Sequence, residues 1–409
     1  MTVWRRQLPV HSPVDASSLL AGLRAIASRN GARERWETRV AALLTQRYAA
    51  RAVLLTDSGT AALTAALLGV LNDQTGSASV ALPAYACYDV ATAADGAGVP
   101  VFLYDIDPST LGPDLAQVHA AVRHGARAIV VAHLYGCPVD LADINRLASA
   151  AGAVVIEDAA QAAGATVNGR PAGCQGSVAV LSFGRGKGLT GGSGGALLAI
   201  DEVGERIVER IRRQRKLDKG RRGWPELAVL TAQWLFQHPS LYPIPAALPM
   251  LHLGETIYRA PRPLRAPAAV SCRVIAASWE LAQQEVDVRR RNAERLLDAL
   301  RWQPAFRTVT AAPCARAGYL RLPALASPLA RRAASDVAAR RLGVMPGYPK
   351  PLCDLEPLSR RCLNRNDGFP GGRLLADRLC TFPTHGRLDS RDLDTLEHWI
   401  REWGGCKEA

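Results

Sequence analysis

Lys187 lies in residues 181–198, LSFGRGKGLTGGSGGALL, where one amine is set among seven glycines. Lysine is scarce in this chain, with five against 45 arginines. A lysine kept inside a glycine loop under that bias points to chemistry that needs an amine and not merely a positive charge. Glycine loops of this kind often cradle phosphates, and two nucleotide patterns can be tested directly. A triphosphate-binding loop needs Gly-Lys followed by Ser or Thr to ligate magnesium. Here Gly188 follows Lys187, and Leu181 stands where the first glycine belongs. The dinucleotide pattern Gly-x-Gly-x-x-Gly occurs at 186–191, but it should open an amphipathic helix. The chain instead continues into more glycine and the strand-like run ALLAI.

A third chemistry fits a wider set of residues. Pyridoxal 5′-phosphate needs an amine for a Schiff base, a carboxylate facing its ring nitrogen and donors for its phosphate. Lys187 supplies the amine. Asp158 ends the apolar run AVVIEDAA, where a carboxylate can meet a ring nitrogen. Ser58, Gly59 and Thr60 in TDSGTAAL precede an Ala/Leu-rich helical pattern, and free N–H groups at a helix start suit a phosphate dianion. Ser182 adds a hydroxyl five residues before the lysine. Taken singly, Asp158 and Ser58-Gly59-Thr60 read equally well as plain helix N-caps. Their joint presence favours the cofactor.

The elements that must position these residues are legible as alternating patterns. Residues 78–83, 99–106, 127–136, 153–160 and 178–184 are short apolar runs, and 60–71 and 141–152 between them have helical texture. That alternation predicts an α/β fold with a mostly parallel sheet, whose ligands bind beyond the carboxyl ends of the strands. His133, Glu157-Asp158 and the glycine loop fall at such ends. A long helix is expected from about 270, followed by a smaller α+β region. The expected division is a large cofactor domain over 1–265 and a small C-terminal domain over 266–409. A length of 409 residues suffices for two cores.

The residues also resemble a known family. SGTAAL, VIEDAAQAAGA and SFGRGKGLTGGSGGALL, in that order, together with HLYGCPVDLADI and RLCTFPTHGRLDSRDLDTLEHWI, look like the DegT/DnrJ/EryC1/StrS aminotransferases. The resemblance implies the pyridoxal phosphate-dependent transferase fold of type I. It implies Lys187 as the Schiff-base lysine, Asp158 as the ring-nitrogen partner and Gln161 near the cofactor's phenolic oxygen. Gly59, Thr60 and Ser182 are implied on the phosphate, and Lys187 itself sets the chain apart from dehydrating members, which carry histidine there. It further implies transfer of an amino group, from a donor such as glutamate, to a keto group of a nucleotide-linked sugar or related small molecule. The alternative is another reaction of the same cofactor, or a non-sugar carbonyl acceptor. A homodimer with the active site at the interface is also implied. Two departures stand out. Ser193 replaces the acid of the usual Gly-Glu-Gly-Gly, and Cys87 falls where a ring-stacking aromatic is expected, leaving Tyr85 or Tyr88 to stack.

Net charge is +13, which favours anionic partners. Seven Lys/Arg fall between Arg212 and Arg222, followed by an Asp/Glu/Lys/Arg-free stretch, 228–254, with four prolines and several aromatics. This pairing suits a lid, a subunit contact or, less readily, peripheral contact with an anionic membrane. No helix-turn-helix segment is recognisable, so nucleic acid is not an expected partner. Nine scattered cysteines without a C-x-x-C pair argue against a zinc site and for reduced thiols in a cytoplasm. The N-terminal residues lack the apolar run of a secretory signal.

Overall fold

The computed structural model describes residues 5–27, 31–71, 78–214, 217, 222–251 and 253–405. Seven strands form its main sheet: β1 (Ala52–Thr56), β2 (Ser79–Pro83), β3 (Val101–Tyr104), β4 (Ala126–Ala132), β5 (Val154–Asp158), β6 (Val178–Ser182) and β7 (Gly195–Ala199). Their spatial order is β1-β7-β6-β5-β4-β2-β3. β7 runs antiparallel to both β1 and β6, and the remaining pairings are parallel. All five apolar runs expected to be strands are strands of this sheet. Both faces are covered, so strands such as β2 are buried at every residue, as a parallel sheet flanked by helices requires. The helix Gly59–Leu71 is apolar nearly all round because it lies inside that packing.

This topology sets the site. β1 and β6 share a direction because each opposes β7, so every strand except β7 ends on one edge of the sheet. β7 begins on that edge, with Gly195 paired to both Thr56 and Ser182. Residues following β1, β2, β4, β5 and β6 therefore converge there.

The region from about 270 begins with two helices where one was expected. Ala269–Ala277 and Trp279–Arg301 meet at Ser278, which leaves helical geometry and donates its hydroxyl to Ser18 Oγ at 2.9 Å. A second sheet comes after them: β8 (Phe306–Thr308), β9 (Leu322–Ala326), β10 (Met345–Pro346) and β11 (Leu379–Phe382), antiparallel in the order β8-β9-β11-β10. Its own core includes Leu296, Phe306, Phe382 and Trp399. The proline-rich stretch is broken into the helices Trp224–Phe236 and Pro243–Ala246, because internal prolines remove helix donors and clash with the preceding turn.

The N-terminal segment crosses between these regions. Gln7 N–H donates to Arg341 O, His385 Nε2 bonds Leu8 O, and Arg6 N–H donates to Pro239 O. Among the expected basic cluster, Lys216, Lys219, Arg215 and Arg221 lie outside the described residues. Arg212 is tied down by Glu209 at 2.5 Å and by Val53 O at 2.8 Å.

Candidate active site

Lys187 stands where two cavities meet. The first, about 810 Å³, is lined by Ser58, Gly59, Thr60, Ser182 and Lys187, with arginines 259, 262 and 265 on its far wall. The second, about 520 Å³, is lined by Lys187, Cys87, Tyr135, Gln161, Arg321 and Tyr348. The loop holding Lys187 is pinned from both ends. Gly191 N–H donates to Phe183 O at 2.9 Å, and the Ser12 hydroxyl donates to the Lys187 carbonyl. Gly186 and Gly192, both at φ +76°, allow the loop to turn where a side chain would strain it.

The first cavity is built around a helix start. Ser58 Oγ accepts from Ala61 N–H at 3.1 Å, so the capping expected of this residue does occur. Helix starts carry N–H groups without intrahelical partners, an arrangement that attracts anions. A Cβ placed on Gly59 would lie 2.7 Å from Ser182 Cβ. Glycine is thus what lets the helix start and Ser182 close on one small space. An extended segment crosses opposite. Its Arg259 carbonyl accepts from Thr92 Oγ1 at 2.9 Å, Tyr258 OH donates to Asp95 at 2.8 Å, and Asp57 N–H donates to Arg265 O at 2.9 Å. Burial holds the Asp57 carboxyl above its ordinary range, while its bond from Ser58 and the charges of Arg265 and Arg262 pull it down. A space with backbone donors, two serine hydroxyls and cationic side chains fits a phosphate dianion.

Asp158 closes β5, with Ala132 and Val180 beside it in register. Its Oδ1 accepts from Ala160 N–H at 3.1 Å. Burial pushes the carboxyl above its usual range, and the Lys187 charge is the largest influence pulling it down. A buried carboxyl with no cation bonded to it among the described residues is suited to receive one, such as a protonated ring nitrogen. Cys87 completes this group: burial raises its thiol to about 12, and both Lys187 and Asp158 act on it. These observations fit pyridoxal 5′-phosphate: Ser58, Gly59, Thr60 and Ser182 would hold its phosphate, and Asp158 would face its ring nitrogen.

The remaining expected residues are placed differently. Gln161 lines the second cavity, but its amide is already engaged: Oε1 accepts from Tyr135 N–H at 3.0 Å, and Nε2 donates to Tyr348 OH at 2.6 Å. The stacking expected of Tyr85 or Tyr88 is not what their rings do. Tyr85 is fully buried, accepts from Tyr348 N–H at 2.8 Å, and lines neither cavity; Tyr88 also packs beside the Tyr348 ring. The physical reason is the chain beside the small sheet, which brings Tyr348 against both rings. Cys87 is the residue of that segment on the cavity wall.

His133 and Glu157, flagged at strand ends, form a buried pair 2.9 Å apart. Glu157 also accepts from Gly173, Gln175 and Gly176 N–H groups at 2.7, 2.5 and 2.6 Å. These bonds offset burial and hold its carboxyl below the ordinary range. Pleating sends Glu157 and Asp158 to opposite faces, so the pair is a support for the loop at 173–176.

Sequence reasoning missed Tyr135, Tyr348, Arg321 and Glu226. Tyr135 adopts φ +57°, uncommon for a tyrosine, just after β4, and stacks on Tyr348 at 5.6 Å. Glu226 answers the Ser193 departure: Ser193 Oγ lies 3.4 Å from Glu226 Oε1. A carboxylate reaches the loop from the helix Trp224–Phe236 where the loop itself carries none.

The chain is similar to proteins of one family. The model of the DegT/DnrJ/EryC1/StrS aminotransferase family matches residues 24–229. An L-glutamine:2-deoxy-scyllo-inosose aminotransferase of Streptoalloteichus tenebrarius is 34% identical over 215 residues, 53% of this chain and 45% of that protein. A UDP-N-acetyl-3-dehydro-alpha-D-glucosamine 3-aminotransferase of Acidithiobacillus ferrooxidans is 39% identical over 114 residues, 28% of this chain and 31% of its own length. The chain thus spans about a third to a half of the length of these relatives. Among solved structures, S. venezuelae DesV in complex with a ketimine intermediate superposes with a TM-score of 0.75 at 21% identity, covering 96% of this chain and 95% of that one. The architecture is that of fold type I.

Proposed function

We propose, starting from the fact that this chain belongs to the DegT/DnrJ/EryC1/StrS aminotransferase family, that it is a pyridoxal phosphate-dependent aminotransferase. The reading has it move an amino group from glutamate or glutamine to the keto group of a sugar, nucleotide-linked or free, or of a related ring compound. The observation that carries it is the place of Lys187, an amine at the junction of a cavity lined by a helix start, serines and arginines and a second cavity large enough for a small substrate. When bound, the cofactor supplies an aldehyde that carries nitrogen and a ring that accepts electrons from the carbon being deprotonated. The chain's residues do the rest. Ser58, Gly59, Thr60 and Ser182 grip the phosphate. Asp158 holds a proton on the ring nitrogen. Lys187 would anchor the cofactor, and its Nζ would hold and move the proton at the reacting carbon. Gln161 holds Tyr135 and Tyr348 as the wall facing it.

The test is reconstitution. Purified protein mixed with the cofactor should develop a visible absorbance band that glutamate or glutamine converts to the shorter-wavelength amine form. A screen of keto sugars and keto cyclitols should then restore the band. A protein that takes up cofactor but is not converted by any amino acid would defeat the transaminase reading and leave other reactions of the cofactor.

Support for a homodimer comes from exposed apolar side chains along residues 224–251, where Trp224 and Met250 are 58% and 79% exposed. We place a second copy over them, completing the cleft; light scattering showing a monomer at micromolar concentration would remove this part. No helix of the described residues is long and apolar enough to cross a membrane. A cytoplasmic setting, and a division into domains near residue 265, complete the proposal.

A further inference from the structure

The second cavity has walls of two kinds. Its polar groups stand at the junction with the first cavity or are already engaged. Arg185, Lys187 and Arg259 line both cavities. Arg321 Nε donates to Thr381 Oγ1 at 2.7 Å, and its Nη2 donates to Gly343 O at 3.0 Å and Thr381 O at 2.8 Å. Thr381 Oγ1 donates in turn to Met345 O at 3.1 Å. The Gln161 amide is engaged at both ends, by Tyr135 N–H and Tyr348 OH. Glu255 has an interaction of its own.

The other wall is hydrocarbon, drawn from three parts of the chain. Val10 comes from the N-terminal segment, Met345 from the small sheet, and Val229, Phe236, Pro245 and Leu251 from the stretch 228–254 that carries no Asp, Glu, Lys or Arg. Two glycines let these parts meet. A Cβ on Gly186 would lie 3.2 Å from Val10 Cγ1, so Val10 packs on the lysine loop itself. A Cβ on Gly254, at φ +83°, would lie 2.8 Å from Met345 Cε, so the end of the stretch closes on the small sheet. Val229 lines both cavities, which carries the hydrocarbon wall to the junction where Lys187 stands. Val229 and Leu251 line the cavity and are still 41% and 39% exposed. Apolar surface facing water inside a cavity is surface that a ligand gains by covering. A hydroxylated group set there would lose its bonds to water and find few free partners, at a cost for each one left unpaired. The cavity, about 520 Å³, is of the size that encloses a drug-sized molecule and exceeds what one six-membered ring fills.

We propose that the amino acceptor is a ring ketone bearing a hydrocarbon group, alkyl or aryl, which seats on the wall of Val10, Val229, Phe236, Pro245, Leu251 and Met345 while the keto carbon faces Lys187. The proposal rests on the aminotransferase reading above and names the acceptor class for it. Donor and acceptor take turns at the amine, and L-glutamine is too short and polar to need this wall. Val229 and Leu251 are specificity residues in it; neither carries a group that could hold a proton.

The experiment measures binding of methyl and butyl β-D-glucoside to cofactor-loaded enzyme by calorimetry, a readout besides activity. The butyl compound should bind about 50-fold tighter, from about fourfold for each of its three extra methylenes. Methyl maltoside, which offers a second sugar to the same wall, should bind no tighter than methyl glucoside. In Val229→Asp and Leu251→Asp the butyl-to-methyl ratio should fall by about 10-fold, while Val229→Leu should keep it. The aminated enzyme is then mixed with the 2-, 3- and 4-keto derivatives of both glucosides in single turnovers. The keto position that reacts should favour the butyl compound by about 50-fold in kcat/KM. Hexyl and octyl glucosides separate two sources of the hydrocarbon: affinity that levels off after butyl assigns a short substituent, and affinity that keeps rising assigns a lipid chain. Equal wild-type binding of methyl and butyl glucosides would overturn the proposal even if the variants fail to fold or no keto position reacts. Tighter binding of methyl maltoside than of butyl glucoside would overturn it in favour of a second sugar. Aspartate variants that change the oligomeric state in light scattering but keep the ratio would assign the wall to a second copy of the chain, also against the proposal. Wild type that binds butyl glucoside tighter but is converted by no amino acid would instead bring down the aminotransferase reading itself.

Discussion

The two cavities that share Lys187 are built in different ways. The first draws on a helix start, two serines and a strap of arginines, and its anchoring groups are backbone N–H and short side chains. The second is assembled from the N-terminal segment, the lysine loop and the small sheet, and its wall is tyrosine, glutamine and one buried guanidinium. The first is suited to hold one group permanently, since its donors sit on the rigid edge of a parallel sheet. The second joins elements far apart in the chain, so it can admit and release molecules with little disturbance of the sheet. On the proposed reading anchorage and exchange are separated in space, with Lys187 between them.

Removing the shared residue should have the largest effect. Lys187→Ala is expected to cost about 10⁴-fold in turnover and to abolish the visible band of the cofactor-loaded protein. Retention of the band would place the reacting amine elsewhere and break the division at its centre. Asp158→Asn should come next. It keeps the shape and the bond to Ala160 N–H but removes the charge opposite the ring, and turnover should drop by about 10²–10³-fold while the band persists. A drop caused only by cofactor loss, reversed by excess cofactor, would make Asp158 part of the anchor.

Gly59→Val separates the two cavities more sharply. Its side chain would need space now 2.7 Å from Ser182 Cβ. Overpacking of about 1–3 kcal/mol should weaken cofactor retention by about 10–100-fold, measured by dialysis and equilibrium titration. Protein saturated with cofactor should react with L-glutamine at a rate close to wild type. If the donor step falls as much as retention, the cavities are one site and not two.

The same division explains what could be read from the sequence. The candidate anchoring residues lie within short motifs: SGTAAL gives the helix start, VIED the strand-end carboxylate, and the glycine loop the amine. Each depends on local backbone geometry, which periodicity and capping residues encode. The main sheet was legible for the same reason, because strands buried on both faces read as plain apolar runs. The second cavity depends on contacts across hundreds of residues, such as Tyr348 N–H with Tyr85 OH and Ser12 with the Lys187 carbonyl. No local pattern marks those partners. Tyr85 and Tyr88 were drawn to the cofactor by their proximity to Cys87 in sequence, yet packing against Tyr348 decides their direction. Arg321 had a faint mark, a lone arginine in the apolar run GYLRLPALA, which gains meaning only once Thr381 and Gly343 are seen to clamp it.

The smallest predicted effect concerns acid and falls on the second cavity alone. His385 is buried, Nε2 bonds Leu8 O at 2.8 Å, and Nδ1 accepts from Arg387 N–H at 3.2 Å. With Nδ1 accepting, the ring is held neutral, and burial lowers it from 6.5 to about 4. In the unfolded chain the ring takes up a proton as pH falls through about 6.5; in the folded chain it does so only near 4. The folded state therefore loses stability as pH falls between these values, and gains nothing further above the higher one. Going from pH 6.5 to about 5.5 should cost about 1 kcal/mol, visible as a lower Tm. Because Leu8 lines the second cavity, the loosening should begin there: L-glutamine binding should weaken before cofactor is lost. His385→Gln retains a donor for Leu8 O without a titrating ring, so its Tm should be flatter over this interval. A wild-type Tm unchanged between pH 6.5 and 5.5, or cofactor released ahead of any change in donor binding, would show that the N-terminal wall and the sheet edge melt as one unit.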